Sequence, residues 1–141
     1  MSISALIIAQ NEEEKIERTL KSLNFVNEIV IILDRSIDNT KKISKKYTDK
    51  IYEGSWESEG KRRNYGLSKC KSKWIFEIDA DEVVNNLLEK EIKEKIKNNK
   101  CDFYYIPLIN YIGEKKIKNG WMACMAPDGK FCLFKKNHKV W

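Results

Sequence analysis

The sequence is poor in the residue types that most often announce a catalytic centre. It contains one histidine, His138, in 141 residues. A single histidine argues against a His-rich metal site and against a His-centred triad, and leaves a role as a lone base open to His138. Four cysteines are present, Cys70, Cys101, Cys124 and Cys132, but none forms a CxxC pair and their spacing matches no zinc site. They read as four free thiols of a reducing compartment. Unbroken apolar runs reach only a few residues, too short to span a bilayer. The N-terminus has no positive stretch followed by an apolar core, so it does not read as a signal peptide. No internal repeat, linker or low-complexity segment interrupts the chain, and nucleic-acid signatures such as an RNP aromatic pattern or a zinc finger are missing.

What the sequence does have is the balance of a globular domain: 42% hydrophobic and 34% charged residues, in a length that suits one compact core. Its 27 basic side chains outnumber 21 acidic ones, for a net charge of +6. Such a surface attracts anions, including nucleotide phosphates. The lysines are dispersed, so much of the excess reads as solvated helix face.

Apolar runs and helical periodicity alternate along the first hundred residues. Ser4 to Ala9 and Glu28 to Leu33 are continuous apolar stretches, as expected of strands buried on both faces. Lys50 to Glu53 and Lys73 to Ile78 read as two more strands. Between them lie helix patterns: Ile16, Leu20 and Leu23 after Glu12, Glu13 and Glu14 in a first turn; Ile43 and Tyr47, capped by Asp38 or Ser36; residues 59–69; and Leu88, Ile92 and Ile96. This rhythm predicts an α/β fold with a mainly parallel sheet. After Lys100 the pattern changes to a long aromatic strand, Asp102 to Tyr111, whose Pro107 suggests an edge or a bulge. Lys130 to Phe134 reads as a last short strand.

In such a fold the C-terminal ends of the strands share one edge, where ligands bind. Glu12, Asp34, Asp38, Asp79 and Asp81 all follow strand ends. Asp79 and Asp81, two apart in an extended segment, point the same way and suit a hard divalent cation, Mg²⁺ or Mn²⁺; a solvated turn or helix cap is the plainer reading. Asp34 suits hydrogen bonds to a base or ribose, or an Asx turn. Asn11 and Glu12 suit either a ligand or a cap of the first helix. Lys61, Arg62 and Arg63 could clamp phosphate oxygens or form an exposed basic face.

Taken in order, Leu6 to Glu13, Ile29 to Thr40, Gly60 to Leu67 and Trp74 to Glu82 resemble the family 2 glycosyltransferases of the GT-A fold, especially the lipopolysaccharide-core β-glucosyltransferase-like branch. The resemblance covers about the first two-thirds of the chain. It implies a Rossmann-like nucleotide-diphospho-sugar transferase sandwich, shorter at the C-terminus than typical members. One domain, 1–141, would comprise a nucleotide-sugar-binding half, 1–100, and a partial acceptor-side region, 101–141. Asp34 would contact the base, Asn11 and Glu12 line the nucleotide pocket, and Lys61 or Arg62 approach the diphosphate. Asp79 would face the ribose or the metal, and Asp81 would coordinate Mg²⁺ or Mn²⁺. The reaction implied is inverting transfer from a UDP-sugar to a saccharide or lipid-linked acceptor, in the cytoplasm, with no nucleic acid involved. The basic surface and C-terminal aromatics leave room for peripheral membrane contact.

The departures are specific. Arg35 and Ile37 stand where the family usually has small residues. Gly120-Trp121 and Pro127-Asp128-Gly129 look like a loosened form of the branch's later segments. That makes Asp128 the candidate general base, against the alternative of a Pro-Asp-Gly turn. The rival to an active transferase is a non-catalytic nucleotide-sugar or glycan-binding module.

Overall fold

The computed structural model describes residues 1–98, 100–113, 115–116 and 128–141. Among them, six strands form one sheet: β1 (Ile3–Ala9), β2 (Glu28–Asp34), β3 (Ile51–Gly54), β4 (Trp74–Glu77), β5 (Phe103–Pro107) and β8 (Gly129–Lys135), in the spatial order β3-β2-β1-β4-β8-β5. β6 (Tyr111–Ile112) and β7 (Lys115–Lys116) make a separate antiparallel pair. The helices are α1 (Ile16–Lys21), α2 (Thr40–Ser44), α3 (Glu59–Lys69) and α4 (Asn86–Asn98).

The apolar runs explain the centre of the sheet. β1 and β2 pair in parallel from Ser4↔Glu28 to Ala9↔Leu33, and β1 pairs with β4 on its other side. Their side chains face two cores at once. Ile7, Ile31, Trp74 and Phe76 pack with Ile16, Leu20, Ile92 and Ile96 from α1 and α4. Leu6, Val30, Ile32, Ile75 and Phe134 pack beneath α3. Fully burying one such side chain stabilises the fold by about 1.5–3 kcal/mol, so two-sided burial makes these strands the rigid base of the domain.

Gly66 sets how closely α3 approaches. A Cβ there would lie 2.7 Å from Leu6 Cδ1 and 3.0 Å from Ile32 Cγ1. Only a residue without a side chain lets the helix rest directly on β1 and β2.

Three sequence expectations change. The first helix begins at Ile16, and the Glu12–Glu14 segment forms the turn that leads into it: Glu12 O accepts from Lys15 and Ile16 N–H, while Glu12 N–H donates to Thr40 Oγ1 and Glu13 N–H to Asp38 Oδ2. The long aromatic strand stops at Pro107, and Tyr111–Ile112 turns into the separate β6–β7 pair. Pro107 does sit on an edge strand, and the β5–β8 register shifts between Tyr104 and Tyr105. Asn39 rather than Asp38 or Ser36 is the residue preceding α2, with Asp38 Oδ1 accepting from Thr40 N–H.

Candidate functional site along the carboxyl edge of the sheet

The strand order reverses direction between β1 and β4: the chain builds β1, β2 and β3 outward on one side, then returns to place β4 on the other. A crevice at such a point, outside the carboxyl ends of the strands, is where open α/β sheets bind ligands. Asp34 ends β2, Asn11 lies just past β1, and Asp79 lies just past β4. These three adjacent parallel strands therefore deliver three of the expected residues to one edge.

Asn11 and its neighbours tie two loops together. Asn11 Oδ1 accepts from Ile37 N–H at 2.9 Å, and its own N–H donates to Ser36 Oγ at 3.1 Å. Glu13 Oε2 accepts from both the backbone and the side chain of Asn39. Asn11 adopts a left-handed φ of 54°, which asparagine tolerates better than most residues. The side-chain oxygen of Asn11 is thus committed to the opposite loop, rather than to capping α1.

Asp34 is 2% exposed. Arg35 grips it with Nε at 3.0 Å from Oδ1 and Nη2 at 3.2 Å from Oδ2, and Arg62 Nη1 lies 2.6 Å from Oδ2. Burial alone would raise the carboxyl's pKa; the two guanidinium groups outweigh it and hold the group below the usual aspartate value. Arg35 carries this contact from a left-handed φ of 53°. Arg62 Nε is buried without a partner among the described residues. Lys61, one residue earlier on α3, turns to Glu57 in an exposed i,i+4 pair. Of the two, the structure brings Arg62 to the Asp34 side and leaves Lys61 at the surface.

Across the crevice, Asp79 and Asp81 are about half exposed, at 50% and 54%. Glu82 folds the turn on itself: its Oε2 accepts from Asp79 N–H at 2.9 Å, while its N–H donates to Asp79 O. Lys130 then bridges the two carboxylates, 2.9 Å from Asp79 Oδ2 and 2.6 Å from Glu82 Oε2. Burial would lower the Lys130 pKa, but the two carboxylates more than reverse that and hold it above the ordinary lysine value. Asp81 meets Lys15 more loosely, at 3.9 Å.

Topology explains how a residue fifty positions away reaches Asp79. β8 runs antiparallel to β4 with Phe76 opposite Leu133. Three residues on from Phe76, just past the end of β4, lies Asp79, and three before Leu133 on β8 lies Lys130. Asp128 precedes β8 at this same edge. It is exposed, its carbonyl accepts from Leu108 N–H at 2.8 Å, and its carboxylate holds no partner among the described residues. Gly120, Trp121 and Pro127 lie outside the described residues. His138 sits elsewhere: Nδ1 is 3.7 Å from Asp102 Oδ2, next to the strand end where Lys135 pairs with Trp74.

For a divalent cation the donors are of the right kind, hard carboxylate oxygens on an open edge. Among the described residues no group of three His, Cys, Asp or Glu side chains could hold a metal by itself. Mg²⁺ asks for less, since it commonly takes one or two carboxylates plus substrate phosphates and water. Asp79 and Asp81 supply two such carboxylates, from the turn closed by Glu82 N–H on Asp79 O rather than from the extended segment expected.

Two features carried no local sequence signal. Buried Glu77, the last residue of β4, binds Lys139 Nζ at 2.5 Å and Trp141 Nε1–H at 2.9 Å. Trp141 also exchanges two hydrogen bonds with Asn64 and lies between the Arg63 and Lys139 cations. The segment after β8 is thereby fastened to α3. A groove of about 520 Å³ lies at the opposite edge of the sheet, lined by residues including Leu23, Ile29, Tyr47 and Glu28, and no candidate site residue borders it.

Residues 4–138 match the family model described as glycosyl transferase family 2. An uncharacterized glycosyltransferase of Rickettsia typhi is 31% identical over 119 residues, 81% of this chain and 41% of that protein. The lipopolysaccharide core biosynthesis glycosyltransferase LpsC of Rhizobium meliloti is 32% identical over 100 residues, 67% of this chain and 37% of that protein. The chain therefore spans about two-fifths of the length of these relatives. Among solved structures, S. aureus TarS 1–349 superposes with a TM-score of 0.66 at 24% identity, over 84% of this chain and 39% of that one. TarS has also been solved with UDP and with UDP-GlcNAc.

Proposed function

The chain belongs to glycosyl transferase family 2, and from that premise we propose that its carboxyl edge binds a nucleoside-diphosphate sugar and supports sugar transfer to an acceptor hydroxyl. The observation that carries the proposal is the delivery of Asp34, Asn11 and Asp79 by β2, β1 and β4 to one crevice, with Arg62 beside them. UDP is the favoured nucleotide, supported by the UDP and UDP-GlcNAc complexes of TarS. The relation to LpsC supports a saccharide or lipid-linked acceptor of the cell envelope.

In this reading Asp34 and Arg62 hold the base side, Asn11 and Glu12 line the pocket, and Lys61 is free to leave Glu57 for a phosphate. Asp81, with Asp79, holds Mg²⁺ or Mn²⁺, which when bound neutralises charge on the departing diphosphate. The acceptor oxygen bonds to the anomeric carbon from the face opposite the diphosphate, and the anomeric carbon–oxygen bond breaks with its electrons going to the diphosphate. Asp128 takes the hydroxyl proton, a role worth about 10²–10⁴-fold in rate. The outcome is inversion at the anomeric carbon.

Arg35 favours a second reading, a nucleotide-sugar-binding module without transfer, because it occupies both oxygens of Asp34. Among the described residues no helix is long and apolar enough to cross a membrane. Peripheral contact with a membrane surface belongs to the proposal, supported by the net charge of +6 and by exposed Phe103, Tyr105 and Phe131.

Thermal unfolding with UDP, GDP, dTDP, CDP and ADP, each with Mn²⁺, tests the binding step. A ligand of the folded state raises Tm, and UDP is expected to raise it most. No shift with any of the five contradicts the proposal. Release of UDP from UDP-sugars then separates a transferase from a binding module.

A further inference from the structure

We propose that Lys130 is a built-in counter-cation that keeps divalent metal out of the Asp79–Asp81 turn until a nucleoside diphosphate arrives. This rests on the nucleotide-sugar reading of the site and adds an order of loading to it.

The turn carries three carboxylates, Asp79, Asp81 and Glu82, and two ammonium groups already answer them, Lys130 and Lys15. Among the described residues one net negative charge is left there to attract a metal ion. The two lysines are not equivalent. Lys15 sits 3.9 Å from Asp81 with both side chains more than half exposed, a contact that solvent and salt weaken. Lys130 makes two direct bonds, and its side chain is three-quarters covered, so its attraction is screened far less.

Its position is also built in. Lys130 pairs with Ile106 in the β5–β8 ladder, and the residue before it, Gly129, lies so close to β5 that a Cβ would stand 2.6 Å from Ile106 O. The start of β8 is thereby paired closely with β5. Glu82 accepts in turn from Asp79 N–H. The ammonium thus occupies one oxygen of Asp79 from a paired strand.

A free metal ion must take Asp79 from Lys130 and gains little net charge in return. An incoming diphosphate changes both terms: it adds negative charge and phosphate oxygens, and it offers Lys130 another anion. Lysine, a flexible stem with three donors, can release Asp79 while keeping Glu82. Metal and nucleotide then bind with positive coupling, and each raises the affinity of the other by the same factor.

Mn²⁺ binding followed by electron paramagnetic resonance tests this without any turnover. Wild-type chain alone is expected to bind Mn²⁺ weakly, and UDP to tighten it sharply. Lys130→Met is expected to bind Mn²⁺ without UDP about tenfold or more tightly than wild type, the scale of one unit charge removed a few ångströms from a partly covered ion. Lys130→Arg keeps the charge and should stay near wild type. Equal Mn²⁺ affinity in wild type and Lys130→Met, or arginine behaving like methionine, overturns the inference. If Lys130→Met does not fold, wild type decides: Mn²⁺ affinity that is already high and unchanged by UDP overturns it. A chain that never binds UDP contradicts the nucleotide reading instead, while the metal-only comparison still judges Lys130.

Discussion

Arg62 Nη1 lies 2.6 Å from Asp34 Oδ2, so an arginine from the helix after β3 closes over the carboxylate that ends β2. With Arg35 on the other side, a buried aspartate is held charged between two guanidinium groups. Removing one partner of a covered charge costs more than the bond itself contributes, because the remaining charge is left with less compensation. Arg62→Ala should destabilise the fold by about 1–3 kcal/mol, read by urea unfolding at pH 7. The Asp34 pKa is held low in the folded chain, so its contribution is complete above the ordinary aspartate value and fades as pH falls below it. The variant and wild type should therefore converge in acid.

Arg35 should behave differently. It is exposed, and its backbone adopts φ 53°, a conformation that glycine reaches without strain. Arg35→Gly loses two hydrogen bonds to the same covered carboxylate but relieves that strain, so the two effects partly offset and the net destabilisation should be about 0–2 kcal/mol. Nucleotide affinity should rise, since Asp34 no longer has an oxygen on each side engaged by the same guanidinium. Calorimetry with UDP checks this, and a fall in affinity would show Arg35 to be part of the binding surface.

Glu28 anchors the opposite edge. One oxygen accepts from Ser4 Oγ, Lys71 N–H and Ser72 N–H, and the other from Lys50. Burial works against the charged form, but these bonds prevail and the carboxyl is lowered from 4.5 to about 2. Glu28→Gln should cost about 1–3 kcal/mol at neutral pH. Because the folded pKa is depressed, the difference should persist above pH 4.5 and disappear as pH falls toward 2. Urea melts at pH 7, 4.5 and 3 follow it.

Gly66→Ala tests the packing of α3. The added methyl meets Leu6 and Ile32 closer than van der Waals contact allows, and both belong to strands buried on two faces. Overpacking of this kind costs about 1–3 kcal/mol, despite alanine's better helix propensity. An unchanged midpoint would mean that the helix can lift off the sheet freely.

The elements that were legible in the sequence are those whose signal is local. Continuous apolar runs placed β1 and β2, and Leu88, Ile92 and Ile96 placed α4, because burial on two faces or one stripe leaves a direct pattern. Asp34 and Asp79 were legible as edge residues because they follow such runs. The contact of Arg62 with Asp34 was not legible, since a helix pattern does not say which way its basic residues reach. Lys130 escaped notice: it is one of 27 basic residues, and its role arises from a strand pairing across more than fifty positions. The antiparallel pairing of the last strand with β4, which the sequence did not announce, is what makes that strand begin at the ligand edge. Glu77 and Glu28 were hidden for a related reason, as their partners come from segments distant in sequence.

In the proposed site, Asp81 and its neighbours bind a nucleotide together with a metal ion. Calorimetric titration of UDP, with and without Mn²⁺, into wild type and Asp81→Ala measures this coupling. UDP should bind wild type, more strongly with Mn²⁺, and Asp81→Ala should lose most of that binding while its unfolding midpoint stays the same. UDP binding that ignores both Mn²⁺ and the loss of Asp81, or no binding of UDP to folded wild type, would contradict it.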